Sequence, residues 1–220
     1  LLFSIPRTLG TIQKEQELSY LHQLSIEDEL EMLQTKINPH FLYNALNSIA
    51  SLAEDEPAQA ENMVLSLAEL FRYSINAEDG HYTEIGKDIE LVNKYLEIEK
   101  VRYGERLEYE FILQPGTEDI LIPRFLLQPL VENAIKHGIS KIRQGNIILK
   151  ISKRGSRLNI FLYDNGPPFP KNFIEGYGST NVKKKLQILY KAKHKIQYLN
   201  RPEKMVKITI IDPLLVSPVT

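Results

Sequence analysis

The chain has 220 residues, 43% of them apolar, enough for one large domain or two small ones with a buried core. Lys and Arg total 27 against 28 Asp and Glu, a formal charge of -1, so no global field draws the chain to DNA or an acidic membrane, and any nucleotide must be held by local groups. The absence of cysteine excludes disulfides and thiolate metal sites and fits a reducing cytosol.

No run approaches the ~18 apolar residues that a membrane-spanning helix needs, and no basic stretch precedes an apolar core in the manner of a signal peptide. The start Leu1-Leu2-Phe3, without Met, leads us to expect an excised fragment whose preceding parts include membrane spans.

The amino-terminal half reads as helical. Ile26, Leu30, Leu33 and Ile37 are spaced four, three and four apart, the seam of a coiled coil or helix bundle, and the pattern continues through Leu42, Leu46, Ile49 and Leu52. Glu54-Asp55-Glu56-Pro57 stops it, and Pro57 suits the first residue of a second helix carrying Met63, Leu67, Leu70 and Phe71. The two should form an antiparallel hairpin. A third helix is expected over about Asp88 to Val101, with Ile89, Val92, Leu96 and Ile98 on or near one face and Gly104 closing it. From Leu107 the period changes to two: Leu107 to Leu113, Ile147 to Ile151 and Leu158 to Leu162 read as strands, the last two joined at Lys153-Arg154-Gly155-Ser156. Pro123 to His137 reads as a strongly apolar helix, Asn181 to Tyr190 as another, and Lys195 to Leu199 with Met205 to Ile211 as a closing strand pair.

Two segments concentrate chemistry. In Lys36-Ile37-Asn38-Pro39-His40-Phe41-Leu42-Tyr43-Asn44 a histidine follows a proline inside a helical pattern. A neutral imidazole, with an ordinary pKa of ~6.5, is a competent nucleophile near neutrality. The proline ring crowds the carbonyl at Thr35 and should bend the helix beside His40, while Asn44, four residues on, can reach the ring or a phosphoryl group. Alone, such a pair is more often a kink with a capping or core histidine. The second segment, Gln128 to Gly138, places Glu132, Asn133, Lys136 and His137 in one helical window. One amide oxygen plus phosphate oxygens and waters satisfies Mg²⁺, and a lysine three residues on reaches the same phosphates. The same residues equally suit the solvated face of an amphipathic helix. Zinc fits less well, because Glu132 and His137 lack the spacing of paired ligands. Downstream, Asp164-Asn165-Gly166 follows a strand, where a buried carboxylate can accept from the exocyclic amine of adenine and reject the carbonyl of guanine. Gly176 and Gly178 let backbone approach phosphates near a helix start at Asn181, although a lone Gly-x-Gly is more often a turn.

The ordered blocks PHFLYN, RYS at Arg72 to Ser74, YLEIEKVRYGERL at Tyr95 to Leu107, LQPLVENAIKHG at Leu127 to Gly138, DNG, and GYGSTNVKKKL at Gly176 to Leu186 resemble the LytS/YehU-type sensor histidine kinases of bacterial two-component systems. The resemblance runs from about Leu30 to Leu214. It implies an α+β chain: over 1–103, a signalling helix with a dimerisation and phosphoacceptor hairpin, a four-helix bundle in the dimer, and over 104–220 a GHKL-type ATPase α/β sandwich. It further implies ATP and Mg²⁺ as cofactors, His40 as phosphoacceptor, Asn133 as chelator of the metal, Lys136 on phosphate with Glu132 and His137 nearby, Asp164 as base reader, and Gly166, Gly176, Gly178 and Asn181 around the nucleotide. The expected partners are a second copy, with Ile26, Leu30, Leu33 and Leu46 at the seam, and a response regulator of LytTR type; the whole protein would be anchored at the cytoplasmic face of the membrane, with no nucleic acid bound directly. Departures from the family pattern stand at Lys36 (usually Gln), Pro168 (usually Gly), Ser179 (usually Leu) and Lys185 (usually Arg), and Phe41 in place of a carboxylate after the histidine leaves the general base unassigned. A non-phosphorylating dimeric scaffold and a GHKL ATPase without phosphotransfer are the alternative readings.

Overall fold

Apolar positions repeating every three to four residues up to Tyr103, then every second residue, divide the chain into a helical part and a sheet part. The computed structural model describes residues 39–75, 80–170 and 177–215, all within one compact unit that begins at Thr35. The expected seam residues Ile26, Leu30, Leu33 and Ile37 lie outside them. Helix α1, Pro39–Asp55, and α2, Pro57–Ile75, form the hairpin, with Pro57 at the start of the second helix as anticipated. Phe41, Ala45, Met63, Leu67 and Leu70 are buried between these helices and α3, Ile85–Tyr103. Proline at the first helical turn costs no hydrogen bond, and the described part of α1 begins at Pro39. The expected bend toward Thr35 lies outside the described residues.

Strand β1, Tyr82–Glu84, leads into α3, and Gly104, at φ 58°, closes α3 by donating its N–H to Lys100 O. The remaining strands are β2, Leu107–Leu113; β3, Ile120–Pro123; β4, Gly145–Arg154; β5, Arg157–Asp164; β6, His194–Leu199; β7, Met205–Ile211; and β8, Leu214–Leu215. Five of them form a mixed sheet in the order β2-β4-β5-β7-β6, in which only the β2–β4 pair is parallel, and β1-β3-β8 make a small antiparallel sheet. Alternate residues Ile147, Leu149 and Ile151 of β4 and Leu158, Ile160 and Leu162 of β5 are buried. Helix α4, Gln128–Asn133, and helix α5, Tyr177–Tyr190, add Val131, Val182 and Leu186 to the same core. The result is α+β: a helical hairpin joined to an α/β sandwich.

The 123–137 segment is a correction to the sequence reading. Its first residue ends β3, residues 124–127 form a turn, α4 begins only at Gln128, and Ala134–Gly138 continues as a π-helical turn. The physical reason is a buried carboxylate. Asp88 of α3 is fully buried and accepts from Phe125 N at 3.1 Å and Leu127 N at 2.9 Å. Those bonds hold Phe125 at φ 56°, a left-handed conformation that costs a non-glycine residue about 1–3 kcal/mol. Lys185 of α5 donates to Arg124 O at 2.8 Å, and Arg124 donates from Nη2 to Tyr73 O at 2.8 Å while its guanidinium lies 4.3 Å over the Tyr73 ring. Burial pushes the Asp88 carboxyl up to about 6, against the Leu127 N–H and the Lys185 charge, and pulls the Lys185 ammonium down to about 8.

Replacing Asp88 by Asn substitutes an amide nitrogen for an acceptor that faces backbone donors, and leaves Lys185 without its counter-charge. Asp88→Asn is expected to lower stability by about 2–4 kcal/mol, read by urea unfolding.

Candidate functional site

Alternation along β5 sets the first element of the site. Leu158, Ile160 and Leu162 point into the core, so Asp164, two residues further, ends the strand on the same face and is itself buried. Its Oδ1 accepts from Gly166 N at 3.0 Å and from Lys204 Nζ at 2.6 Å. Asn165 pins the turn to the sheet: its Oδ1 accepts from Asn146 N at 2.8 Å and its Nδ2 donates to Gln144 O at 3.0 Å. Gly166 lies against Gly138 at the end of the π-helical turn. A Cβ on Gly166 would stand 2.3 Å from Gly138 Cα, and one on Gly138 would stand 2.4 Å from Asp164 Oδ1. Each glycine is therefore required by the other segment's approach.

Helix α4 presents its polar residues in two directions. Asn133 Nδ2 donates to Ser179 Oγ at 3.0 Å, beside Gly178, and Asn133 Oδ1 accepts no hydrogen bond among the described residues. Ser179, a departure from the family pattern, is thus the buried partner that holds the amide nitrogen and leaves the oxygen without a hydrogen bond among the described residues. Glu132 is half-buried and accepts from Gln128 Nε2 at 2.8 Å, and its charge is felt by Tyr95 of α3. Burial raises its carboxyl to about 7, with Glu99 adding to the shift and the Gln128 bond and Lys136 opposing it. Lys136 and His137 are exposed. Partial burial, then the charges of Lys136, Lys141 and Lys204, hold the His137 imidazole below its ordinary value, favouring the neutral ring.

The sequence placed the start of the last helix at Asn181, but α5 begins at Tyr177, so Gly178 lies inside its first turn; Gly176 is outside the described residues. A Cβ on Gly178 would meet Asn133 Nδ2 and Pro129 Cβ at 3.5 Å, ordinary contact, so the residue lets the helix end sit close to Asn133 without strict need. Asn181 is half-buried one turn on.

His40 is exposed on α1, with Asn44 Nδ2 3.2 Å from its Nδ1, the pairing expected from the four-residue spacing. The following Phe41 is buried and packs at a tilt against Tyr95, 4.8 Å between ring centres. The histidine helix therefore touches the same α3 residue that feels Glu132.

Residues 28–107 match the family model described as histidine kinase. The sensor protein LytS of Staphylococcus epidermidis is 32% identical over 161 residues, covering 73% of this chain and 27% of that protein. The chain belongs to the sensor histidine kinase family. Sensor histidine kinase YpdA of Escherichia coli is 33% identical over 181 residues, covering 77% of this chain and 32% of YpdA, so the chain spans about a third or less of these relatives' length. The Erythrobacter litoralis EL346 blue-light activated histidine kinase shares the fold at TM-score 0.50 and 16% identity, over 90% of this chain and 59% of that one.

Three residues of the candidate site carry no signal in the sequence that marks them as such. Gly138 ended a quoted motif without a role of its own, and Ser179 stood only as a departure. Lys204 gave no local signal, because it faces Asp164 only through the β5–β7 register, in which Tyr163 pairs Met205.

The Gly138 contact is testable. Gly138→Ala drives a methyl into Asp164 and is expected to cost about 1–3 kcal/mol of stability, measured by thermal or urea unfolding; an unchanged midpoint would show that the two segments part easily.

Proposed function

We propose that this chain is the kinase core of a membrane sensor, which transfers the γ-phosphoryl group of ATP to His40 and then to an aspartate of a response regulator, by analogy one of LytTR type. The observation that carries the reading is the close packing of Asp164, Gly138 and Gly166, with Asn133 five residues before Gly138 on the adjoining helix, and an exposed, Asn-paired histidine on a helix packed against α3. The domain division proposed is a helical part over 1–103 and an ATP-binding part over 104–220. The fit to Mg²⁺ rests on Asn133 Oδ1, an oxygen donor with no hydrogen bond among the described residues. Bound there with phosphate oxygens, Mg²⁺ would neutralise charge on the transferring group.

The chain's own groups then have assignable tasks. Asp164 accepts from the adenine amine; Lys136, with His137 beside it, faces phosphate as a point charge; Gly176, Gly178 and Asn181 border the phosphates. For Nε2 of His40 to attack, its Nδ1 must carry the proton, so Asn44 turns its amide oxygen to accept from Nδ1–H. A bond forms from nitrogen to phosphorus, the bond to the β-phosphate oxygen breaks, and ADP leaves. Glu132 is the carboxylate beside the site that exchanges a proton near neutrality. Catalysis of this kind is chiefly positioning and charge neutralisation.

Homodimerisation is supported by the hairpin, where Tyr43, Leu46, Val64 and Leu65 are large apolar residues left exposed. A second hairpin would cover such a surface as a four-helix bundle. Among the described residues no helix is long and apolar enough to cross a membrane. Anchoring of the whole protein at the cytoplasmic face of the membrane is part of the proposal by analogy with the family.

Incubation with γ-labelled ATP and Mg²⁺ should place acid-labile, alkali-stable label on the parent. His40→Gln should abolish the label yet leave nucleotide affinity intact, whereas Asn133→Ala should abolish both; label persisting on the His40 variant would overturn the assignment.

The pH dependence has a definite sign. A base must be ionised, and Glu132 ionises through about 7, so labelling should rise about tenfold from pH 6 to 8 from this group. Glu132→Gln should remove that component. In stability the sign is opposite: the folded carboxyl holds its proton up to about 7 while the unfolded one releases it near its ordinary value of 4.5, so this group's contribution is lost as pH rises through that window. Chevron or equilibrium unfolding of both proteins at pH 5 and pH 8 reads the difference.

A further inference from the structure

The carboxylate at the end of β5 is not alone. Lys204, the residue before β7, has a side chain only 9% exposed, and its ammonium lies 2.6 Å from Asp164 Oδ1, itself on a side chain 6% exposed. The antiparallel register that pairs Tyr163 with Met205 brings residue 204 opposite residue 164, so the ion pair follows from strand pairing. Lys204 Nζ also sits 4.9 Å over the ring of Phe169. Phe169 is tied to the same turn by a reciprocal pair, its N–H donating to Asn200 Oδ1 at 2.8 Å and its carbonyl accepting from Asn200 Nδ2 at 2.9 Å. The turn between β6 and β7 thus clasps the Gly166-Pro167-Pro168-Phe169 loop, in which two prolines offer no N–H of their own.

The distribution of bonds on Asp164 is what matters. Gly166 N and Lys204 Nζ both go to Oδ1, and Oδ2 accepts nothing among the described residues. A carboxylate held by an ammonium is an acceptor only, and its second oxygen is then committed to a donor such as an exocyclic amine. A carbonyl at that place would meet oxygen lone pairs. Gly138 closes the same corner, since a Cβ there would come 2.4 Å from Asp164 Oδ1 and 3.5 Å from Lys204 Nζ. Motion of the carboxylate is thereby restricted from a third side.

We propose that Lys204 is a specificity-determining positioning residue, which fixes Asp164 as an oriented, acceptor-only carboxylate and so makes the site select adenine over guanine nucleotides. The inference rests on the reading of Asp164 as base reader. Lys204 acts through Asp164 and need not touch the nucleotide.

Calorimetric titration with ADP and GDP reads base selection without phosphoryl transfer. Lys204→Met is expected to weaken ADP binding roughly tenfold and to shrink the ADP/GDP affinity ratio by about the same factor. Asp164→Asn should abolish the preference, and adding Lys204→Met to it should change the ratio no further. Thermal unfolding without nucleotide accompanies each variant; where Lys204→Met does not fold, Lys204→Gln, which keeps a donor without the charge, takes its place with the same expected fall in ratio. If Asp164→Asn leaves the ratio as in the parent, the base-reader reading itself fails. If Asp164→Asn abolishes the preference while the Lys204 variant keeps it, loses both nucleotides equally, or binds ADP more tightly, Lys204 is a structural or obstructing residue and the inference is overturned.

Discussion

Asp88 is the point on which the rest of the structure turns. A fully buried carboxylate is costly unless its oxygens are hydrogen-bonded, and here two backbone N–H groups of the 124–127 turn and the nearby Lys185 charge satisfy that demand. In return the carboxylate dictates backbone. It ends β3, holds Phe125 left-handed and sets where α4 begins, and α4 carries Asn133 and Glu132. The same turn reaches α2 through Arg124 and Tyr73, whose ring also meets Phe125 edge-on at 5.2 Å and whose hydroxyl donates to Thr83 Oγ1 at 3.0 Å. One buried charge therefore joins the histidine-bearing hairpin, the third helix and the sandwich.

The histidine-bearing hairpin and the sandwich are both anchored to α3, the hairpin through Phe41 on Tyr95 and the sandwich through Asp88. Tyr95 donates to Glu99 Oε1 at 3.4 Å, and Glu99 has Arg102 at 3.2 Å, so the YLEIEKVRY block is a polar and aromatic strip along one helix face. Glu132 borders this strip, and its carboxyl is raised chiefly by burial, with the nearby Glu99 charge adding to the shift.

Departures from the family pattern acquire physical meaning as a set. Ser179 supplies the hydroxyl that orients Asn133, Lys185 lies beside the Asp88 clamp, and the Pro167-Pro168 loop is held through Phe169 by Asn200 and Lys204. In each case the substituted side chain or its neighbour makes a hydrogen bond or ion pair. None of these three is a free surface change, and the fourth departure, Lys36, lies outside the described residues.

Periodicity identified the hairpin of α1 and α2, the third helix with its Gly104 stop, and all five strands of the main sheet with near-correct bounds, because local spacing decides which face of a regular element is apolar. The β6–β7 pair and the β4–β5 hairpin were equally legible, and the motif order led to the family and to His40, Asn44, Asn133 and Asp164. What sequence missed was nonlocal. The residues 123–127 look like an apolar helix until a carboxylate 37 and 39 positions away claims the N–H groups of Phe125 and Leu127, and the short strands β1, β3 and β8 carry too few residues to show a period. Likewise Lys204 and Gly138 have no signature of their own: only the register of β7 on β5 and the close approach of two chain segments place them at Asp164. The sequence by itself determined which elements form and which chemical groups are present, since those follow from neighbours within a turn or two. The tertiary structure alone decided which oxygen of Asp164 is occupied and which way Asn133 points, because burial and strand register bring their partners from 40 and 46 residues away.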